Sequence, residues 1–151
     1  MSTKLTKNFS LEEMIKSDTA RAKGVSNIPT AKEVENLRRL CVEILQPLSD
    51  SLGLPIYVNS GFRNKATNAL VGGVANSAHL TGYAADIVCP AYGNAAKFSR
   101  YVADFLKRKG IKFDQVINEY GRWCHVGVAN LDGKQRGQLL TYTKNGARQG
   151  I

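Results

Sequence analysis

Two histidines and one aspartate are the residues of this sequence best suited to holding a metal ion. His79 and His125 are its two histidines, and neutral imidazole offers a nitrogen lone pair to transition metals at physiological pH. Asp86 follows a predicted turn at Gly82 and lies inside the apolar run 84–88. A carboxylate in such a run is costly to bury unless it meets a cation or hydrogen-bond donors. A metal ion would meet that need, and an arginine partner is the alternative.

The segment 118–125, Asn-Glu-Tyr-Gly-Arg-Trp-Cys-His, is predicted to form a hairpin that turns at 120–123. Across such a hairpin, Glu119 and His125 come close on neighbouring strands. His125 would complete a set of two histidines and one carboxylate, and three protein ligands plus a water is the arrangement of catalytic zinc. Glu119 would then be a free carboxylate suited to taking a proton from that water. The alternative is a surface glutamate beside a turn.

Successive residues of a strand point to opposite faces, which separates the expected roles of Trp123 and Cys124. Trp123 shares the face of His125 and is either a wall of a substrate pocket or an ordinary core aromatic. Cys124 points to the other face and is excluded as a ligand. The odd cysteine count argues against a disulfide framework, and Cys41 and Cys89 are expected to be small buried hydrophobes.

Arg63 ends the segment Asn-Ser-Gly-Phe-Arg, directly after a predicted strand at 55–59. An arginine held by a Ser-Gly turn at a strand end can donate paired hydrogen bonds to a carboxylate or a polarised carbonyl. The alternative is an ordinary solvated arginine.

The elements that must position these residues begin with helices. Capping boxes at 10–13 and 30–33 predict a short helix and the main core helix, which Pro47 is expected to kink or interrupt before Gly53. A third helix is expected from a cap at Asn94 to Gly110. The segment 20–29 is expected to be a loop and 64–71 a short helix. The predicted strands are 55–59, 84–88, 114–118 and 124–129, with a possible edge strand at 138–143.

Helices come first and strands cluster later, which predicts an α+β fold with a small, mainly antiparallel sheet. The length predicts one domain over 1–151, with a core at about 9–130 and a polar C-terminal tail at 131–151. The net charge of +9 suits a polyanionic partner. An aromatic-basic RNA-binding signature and zinc-finger spacing are both missing, so no nucleic-acid partner is expected.

No apolar run approaches the roughly 20 residues of a membrane span. The first ten residues contain no stretch typical of a signal peptide, so synthesis in the cytoplasm is expected.

Three segments together carry a family resemblance: Ser60-Gly-Phe-Arg63, Ser77-Ala-His-Leu-Thr-Gly-Tyr-Ala-Ala-Asp86 and Trp123-Cys-His125. In order and spacing they resemble the D-alanyl-D-alanine metallopeptidase family, which shares its fold with hedgehog signalling domains. The likeness runs from about Phe9 to Ala129.

The resemblance implies a zinc ion held by His79, Asp86 and His125. It further implies that Arg63 binds substrate and stabilises the oxyanion, and that Ser77 supports the site by hydrogen bonding. Many relatives place an acidic residue three positions before the last histidine, where this chain has Arg122. Relatives with Trp-x-His use an earlier glutamate, which points to Glu119 as the catalytic base.

The implied function is hydrolysis of peptidoglycan stem peptides by a monomeric zinc peptidase, either a D-Ala-D-Ala carboxypeptidase or an endolysin-type endopeptidase. The enzyme would act on the cell wall in phage lysis or as part of a virion. The alternative is a catalytically inactive, zinc-containing binding module of the same fold.

Overall fold

The computed structural model describes residues 3–151. Its helices are α1 (Leu11–Ile15), α2 (Asp18–Ala22), α3 (Ala31–Leu40), α4 (Gln46–Leu52), α5 (Lys65–Leu70) and α6 (Ala95–Arg108). Its strands are β1 (Lys4–Thr6), β2 (Phe9–Ser10), β3 (Tyr57–Ser60), β4 (Ala84–Val88), β5 (Gln115–Glu119), β6 (Trp123–Gly127), β7 (Gln138–Thr143) and β8 (Gly146–Gln149). No helix in this range is long and apolar enough to cross a membrane.

The main sheet has six strands in the order β3-β4-β6-β5-β7-β8, beside a small β1-β2 sheet. This confirms the α+β class, but the main sheet is mixed, because β5 and β7 pair in parallel while its other pairings are antiparallel. The prediction of an edge strand at 138–143 is wrong in its position. That segment is β7, which lies inside the sheet because residues 146–149 form β8 beyond it.

The main core helix is interrupted where Pro47 was expected to disturb it. Thr30 and Glu33 form the complete capping box that begins α3. Between α3 and α4, Cys41–Leu45 forms a wider π-helical turn in which the N–H of Gln46 reaches the carbonyl of Cys41. A proline ring clashes with the carbonyl four residues earlier in a regular helix, so the wider turn accommodates Pro47 and the helical path resumes in α4.

The predicted loop at 20–29 begins later than expected. Helix α2 runs from Asp18 to Ala22, and the hydroxyl of Ser17 caps its start by accepting a hydrogen bond from the N–H of Ala20. Such a cap satisfies one of the free N–H groups at a helix start.

The two faces of the sheet have different roles. On β4 and β6, alternate residues pack into the core under α6 and the α3–α4 segment, namely Ala85, Ile87, Cys124 and Val126. Their neighbours Asp86 and His125 face the other way and line an open cleft. Because side chains alternate along a strand, the same pairing that builds the core also displays the polar residues.

An ion pair between a buried carboxylate and a partly exposed arginine anchors the crossing from β6 to β7. Asp114 is 1% exposed, and its carboxylate accepts hydrogen bonds from Nε and Nη2 of Arg136 at 2.7 and 2.8 Å. The backbone N–H of Gln138 bonds the Asp114 carbonyl at 2.9 Å, so the same residue sets where β7 meets β5.

Replacing Arg136 with methionine is expected to lower the free energy of unfolding by about 2–3 kcal/mol, because it leaves a buried carboxylate without its cation. Urea denaturation would measure the loss. Arg148→Met on the exposed strand β8 is the control and should change stability by less than about 0.5 kcal/mol. Equal losses in the two variants would show that the Asp114 pair does not anchor β7.

Candidate metal centre

His79, Asp86 and His125 meet on the cleft side of the sheet. Asp86 on β4 and His125 on β6 are direct partners in the strand register, and His79 comes from the 3-10 turn Ala78–Thr81 that precedes β4. Oδ1 of Asp86 lies 3.1 Å from Nδ1 of His125 and 3.3 Å from Nε2 of His79. One ligand atom from each residue lies within 4.8 Å of the others, and all three residues are buried.

Hydrogen bonds fix the orientation of His79. Its Nδ1 lies 2.7 Å from the carbonyl oxygen of Gly61. A carbonyl can only accept, so Nδ1 carries the proton and Nε2 keeps a lone pair for a metal. The hydroxyl of Ser77 caps the turn by accepting a hydrogen bond from the backbone N–H of His79 at 3.1 Å. Gly82 ends the turn at φ +83°, where a side chain would also press against the carbonyl of Glu33.

The residues present fit a divalent metal ion. Among the residues that the structure describes, Asp86 has no arginine partner, which removes the alternative left open by the sequence. Burial opposes ionisation of Asp86, but the two histidines outweigh it and hold the pKa of that carboxyl well below its usual range. Two imidazole nitrogens and one carboxylate oxygen are a donor set that zinc commonly takes.

Glu119 stands beside this cluster without joining it. Its Oε1 lies 3.8 Å from Nδ1 of His125, and its Oε2 accepts a hydrogen bond from the indole N–H of Trp123 at 2.9 Å. The side chain is 18% exposed, so it is not the surface glutamate of the alternative interpretation. Burial raises the pKa of Glu119, and the negative charge of Asp86 adds to this effect.

Arg63 lies in the same cleft and is partly buried. Its backbone N–H bonds the carbonyl of His79 at 3.0 Å, and its Nη2 lies 3.4 Å from the hydroxyl of Ser77. The buried Nε has no hydrogen-bond partner in the described chain. Burial lowers the pKa of Arg63, although the charges of Asp86 and Glu119 oppose that effect. The guanidinium therefore keeps an unused donor beside the cluster.

The cleft has a volume of about 580 Å³ and contains every site residue that the sequence predicted: Arg63, Ser77, His79, Asp86, Glu119, Trp123 and His125. Cys124 faces the core as expected, with no exposed surface. The sequence did not point to Tyr120, Arg136 or Tyr142, which also line the cleft. Tyr120 has a φ of +60°, and Tyr142 belongs to the segment predicted to be a polar tail. No local motif marks these residues.

Gly61 connects the site to the first helix. A Cβ added there would lie 2.2 Å from the carbonyl oxygen of Met14, so Gly61→Ala must shift the strand end whose carbonyl orients His79. We expect zinc affinity to fall by roughly 10- to 100-fold, as for other partners of ligating histidines. Competition titration with a chromogenic chelator would measure this.

Gly24→Ala is the matched control. Gly24 has a positive φ and open space around it, so the variant should lose about 1–2 kcal/mol of stability through backbone strain and keep its zinc affinity. Unchanged affinity in Gly61→Ala would show that the carbonyl does not orient His79.

A buried cluster of two histidines and one aspartate, with a free carboxylate beside it in an open cleft, is the arrangement of a mononuclear zinc hydrolase. The chain belongs to the peptidase M15 family, whose model matches residues 7–127. It is 43% identical over 93 residues to the zinc D-Ala-D-Ala carboxypeptidase of Streptomyces albus G. That match covers 60% of this chain and 34% of the relative, so the chain spans about a third of the relative's length. The family resemblance inferred from the motifs is therefore confirmed.

Proposed function

We propose that this protein is a zinc-dependent peptidase that hydrolyses the stem peptides of bacterial peptidoglycan. The observation that carries the proposal is the convergence of His79, Asp86 and His125 within 4.8 Å at the floor of the cleft. The name of the Streptomyces relative supports a D-alanyl peptide as the substrate class. The fold is proposed to be that of hedgehog-like domains, in one domain acting as a monomer.

The ion would be held by Nε2 of His79, the carboxylate of Asp86 and Nδ1 of His125. Bound zinc acts as a Lewis acid and lowers the pKa of a coordinated water toward about 7. Asp86 supplies the negative charge of the site, because both of its neighbouring imidazoles are neutral when they ligate a metal. Burial keeps this charge from being screened by solvent.

Glu119 is the proposed general base. Its Oε1 lies 3.8 Å from Nδ1 of His125, a position from which it would accept a proton beside the bound ion. The raised pKa of this carboxyl suits both of its tasks, because the same group takes a proton from water and later gives it to the leaving amine.

Arg63 is proposed to bind the substrate and to stabilise the oxyanion that develops at the carbonyl oxygen when the carbonyl carbon is attacked. Its guanidinium is partly desolvated and retains a donor that is free in the described chain, which strengthens a hydrogen bond to a developing negative charge. The hydroxyl of Ser77 supports this position by accepting a hydrogen bond from Nη2 of Arg63. The ring of Trp123 forms part of the cleft wall.

The proposed place of action is the bacterial cell wall, during phage lysis or on a virion. The net charge of +9 supports approach to an anionic wall. The bond cut is proposed to be either the terminal D-Ala-D-Ala bond or an internal bond of the stem peptide.

The test is incubation of zinc-loaded protein with purified peptidoglycan, with and without a chelator, followed by mass spectrometry of the fragments. New amine ends that vanish with chelator support the peptidase, and their identity assigns the bond. Intact peptidoglycan in the presence of stoichiometric zinc would contradict the proposal and favour an inactive binding module.

A further inference from the structure

The indole of Trp123 makes a specific contact with the proposed base. Trp123 and Glu119 are direct cross-strand partners at the end of the β5–β6 hairpin, and the indole Nε1–H donates to Oε2 of Glu119 at 2.9 Å. The tryptophan is half-buried, and it is the one tryptophan of the sequence.

The backbone around this pair is held from several sides. The N–H of Tyr120 bonds the carbonyl of Tyr142 at 3.0 Å, and the N–H of Arg122 bonds the carbonyl of Glu119 at 3.0 Å. The side-chain oxygen of Asn118 accepts a hydrogen bond from the N–H of Gly121 at 3.1 Å. The strand ends are thus fixed, and the remaining freedom of Glu119 lies in its own side-chain torsions.

A glutamate side chain has several rotatable bonds, and its freedom must be restricted if one oxygen is to face a reacting group. The indole N–H occupies Oε2 and leaves Oε1 on the side of His125, at 3.8 Å from its Nδ1. We propose that Trp123 is a positioning residue, whose indole N–H fixes one oxygen of Glu119 so that the other faces the metal cluster. This inference rests on the proposed function, because it assigns Glu119 as the base.

Two properties of the Trp123 ring can be tested separately. If Trp123 acts only as a wall of the substrate cleft, it needs the surface of the indole, whereas a positioning role also needs the indole N–H. Loss of the ring surface would weaken substrate binding and raise KM. Loss of the N–H alone would lower kcat and leave KM nearly unchanged, since the substrate would meet the same surface.

One substitution removes the N–H and keeps the shape. Because the sequence has a single tryptophan, growth of a tryptophan auxotroph on β-(3-benzothienyl)alanine would replace the N–H of Trp123 by sulfur and alter no other residue. We expect kcat to fall roughly tenfold, because a misplaced general base loses part of its contribution to catalysis. KM should stay within about twofold of the wild-type value, and the zinc content should be unchanged. Trp123→Phe, which also removes ring surface, should lower kcat similarly and raise KM as well.

Two further measurements distinguish positioning from packing. In a Glu119→Gln background the sulfur replacement should lower kcat by less than about twofold, because the two groups act as one unit. Tyr101→Phe is the control: Tyr101 lies outside the cleft, its hydroxyl contacts Ser51, and the loss of that contact should leave kcat unchanged.

A readout independent of activity is the single indole ¹H–¹⁵N resonance. In the wild type it should lie downfield of its position in Glu119→Ala, and its hydrogen exchange should be at least about fivefold slower. Identical indole resonances in these two proteins would overturn the inference.

An active wild type whose kcat does not respond to the sulfur replacement would also overturn it and leave the proposed function intact. An inactive wild type would overturn the proposed function and the inference together, whatever the indole resonance shows.

Discussion

Replacing Asp86 with asparagine is expected to abolish zinc binding and peptide hydrolysis while the chain still folds. Asp86 is the anion between the two histidines, with its Oδ1 at 3.1 and 3.3 Å from their nitrogens. Asparagine keeps the shape of the side chain but removes the charge that makes this oxygen a strong ligand. Loss of a group that only supports a metal ligand lowers metal affinity by up to about 100-fold. Because Asp86 is proposed to be a ligand itself, we expect zinc affinity to fall by more than that.

The measurement is zinc content after gel filtration, together with thermal unfolding with and without added zinc. Zinc at a hundredfold excess over its Kd should stabilise the wild type by about 2.7 kcal/mol and should leave Asp86→Asn unchanged. Asp104→Asn, on the exposed side of α6, is the control and should bind zinc like the wild type. Retention of one zinc per chain by Asp86→Asn would contradict the assignment of this ligand.

Glu119→Gln is expected to lower kcat by between about 10²- and 10⁴-fold while the protein keeps one zinc ion per chain. Glutamine has nearly the same shape and can still accept the indole N–H of Trp123 through its amide oxygen. It cannot take up a proton from water at neutral pH, so catalysis is lost without a change in the metal ligands.

Steady-state hydrolysis of peptidoglycan fragments and metal analysis of the same samples would test this. The matched control is Glu43→Gln, which removes an exposed carboxylate paired with Arg39 and should leave kcat unchanged. Full activity in Glu119→Gln would exclude Glu119 as the base. Loss of zinc from that variant would instead show that the carboxylate is a ligand.

The local parts of the site could be predicted from the sequence. The alternation of side chains along a strand placed Trp123 with His125 and turned Cys124 toward the core, and the structure shows this arrangement. The carboxylate of Asp86 in an apolar run indicated a buried cation site, because few other partners can compensate its desolvation. The facing of the β6 side chains could be predicted because it depends only on short-range periodicity.

The non-local parts could not be predicted in the same way. The parallel pairing of β5 with β7 depends on Asp114 and Arg136, which are 22 residues apart and carry no repeating pattern. For this reason no sequence pattern indicates that Tyr142 reaches the cleft. The indole contact of Trp123 was also missed, since the choice between pocket wall and core aromatic left out hydrogen bonding to Glu119.

X-ray absorption spectroscopy at the zinc edge of the metal-loaded protein would identify the atoms that bind the ion. We expect one zinc ion with two imidazole nitrogens at about 2.0–2.1 Å, a carboxylate oxygen at a similar distance and no sulfur. In the His79→Ala variant, any zinc that remains bound should show weaker scattering from the more distant atoms of imidazole rings, because one ring is lost. A sulfur neighbour at about 2.3 Å would exclude His79, Asp86 and His125 as the complete set of protein ligands. So would a spectrum without imidazole scattering.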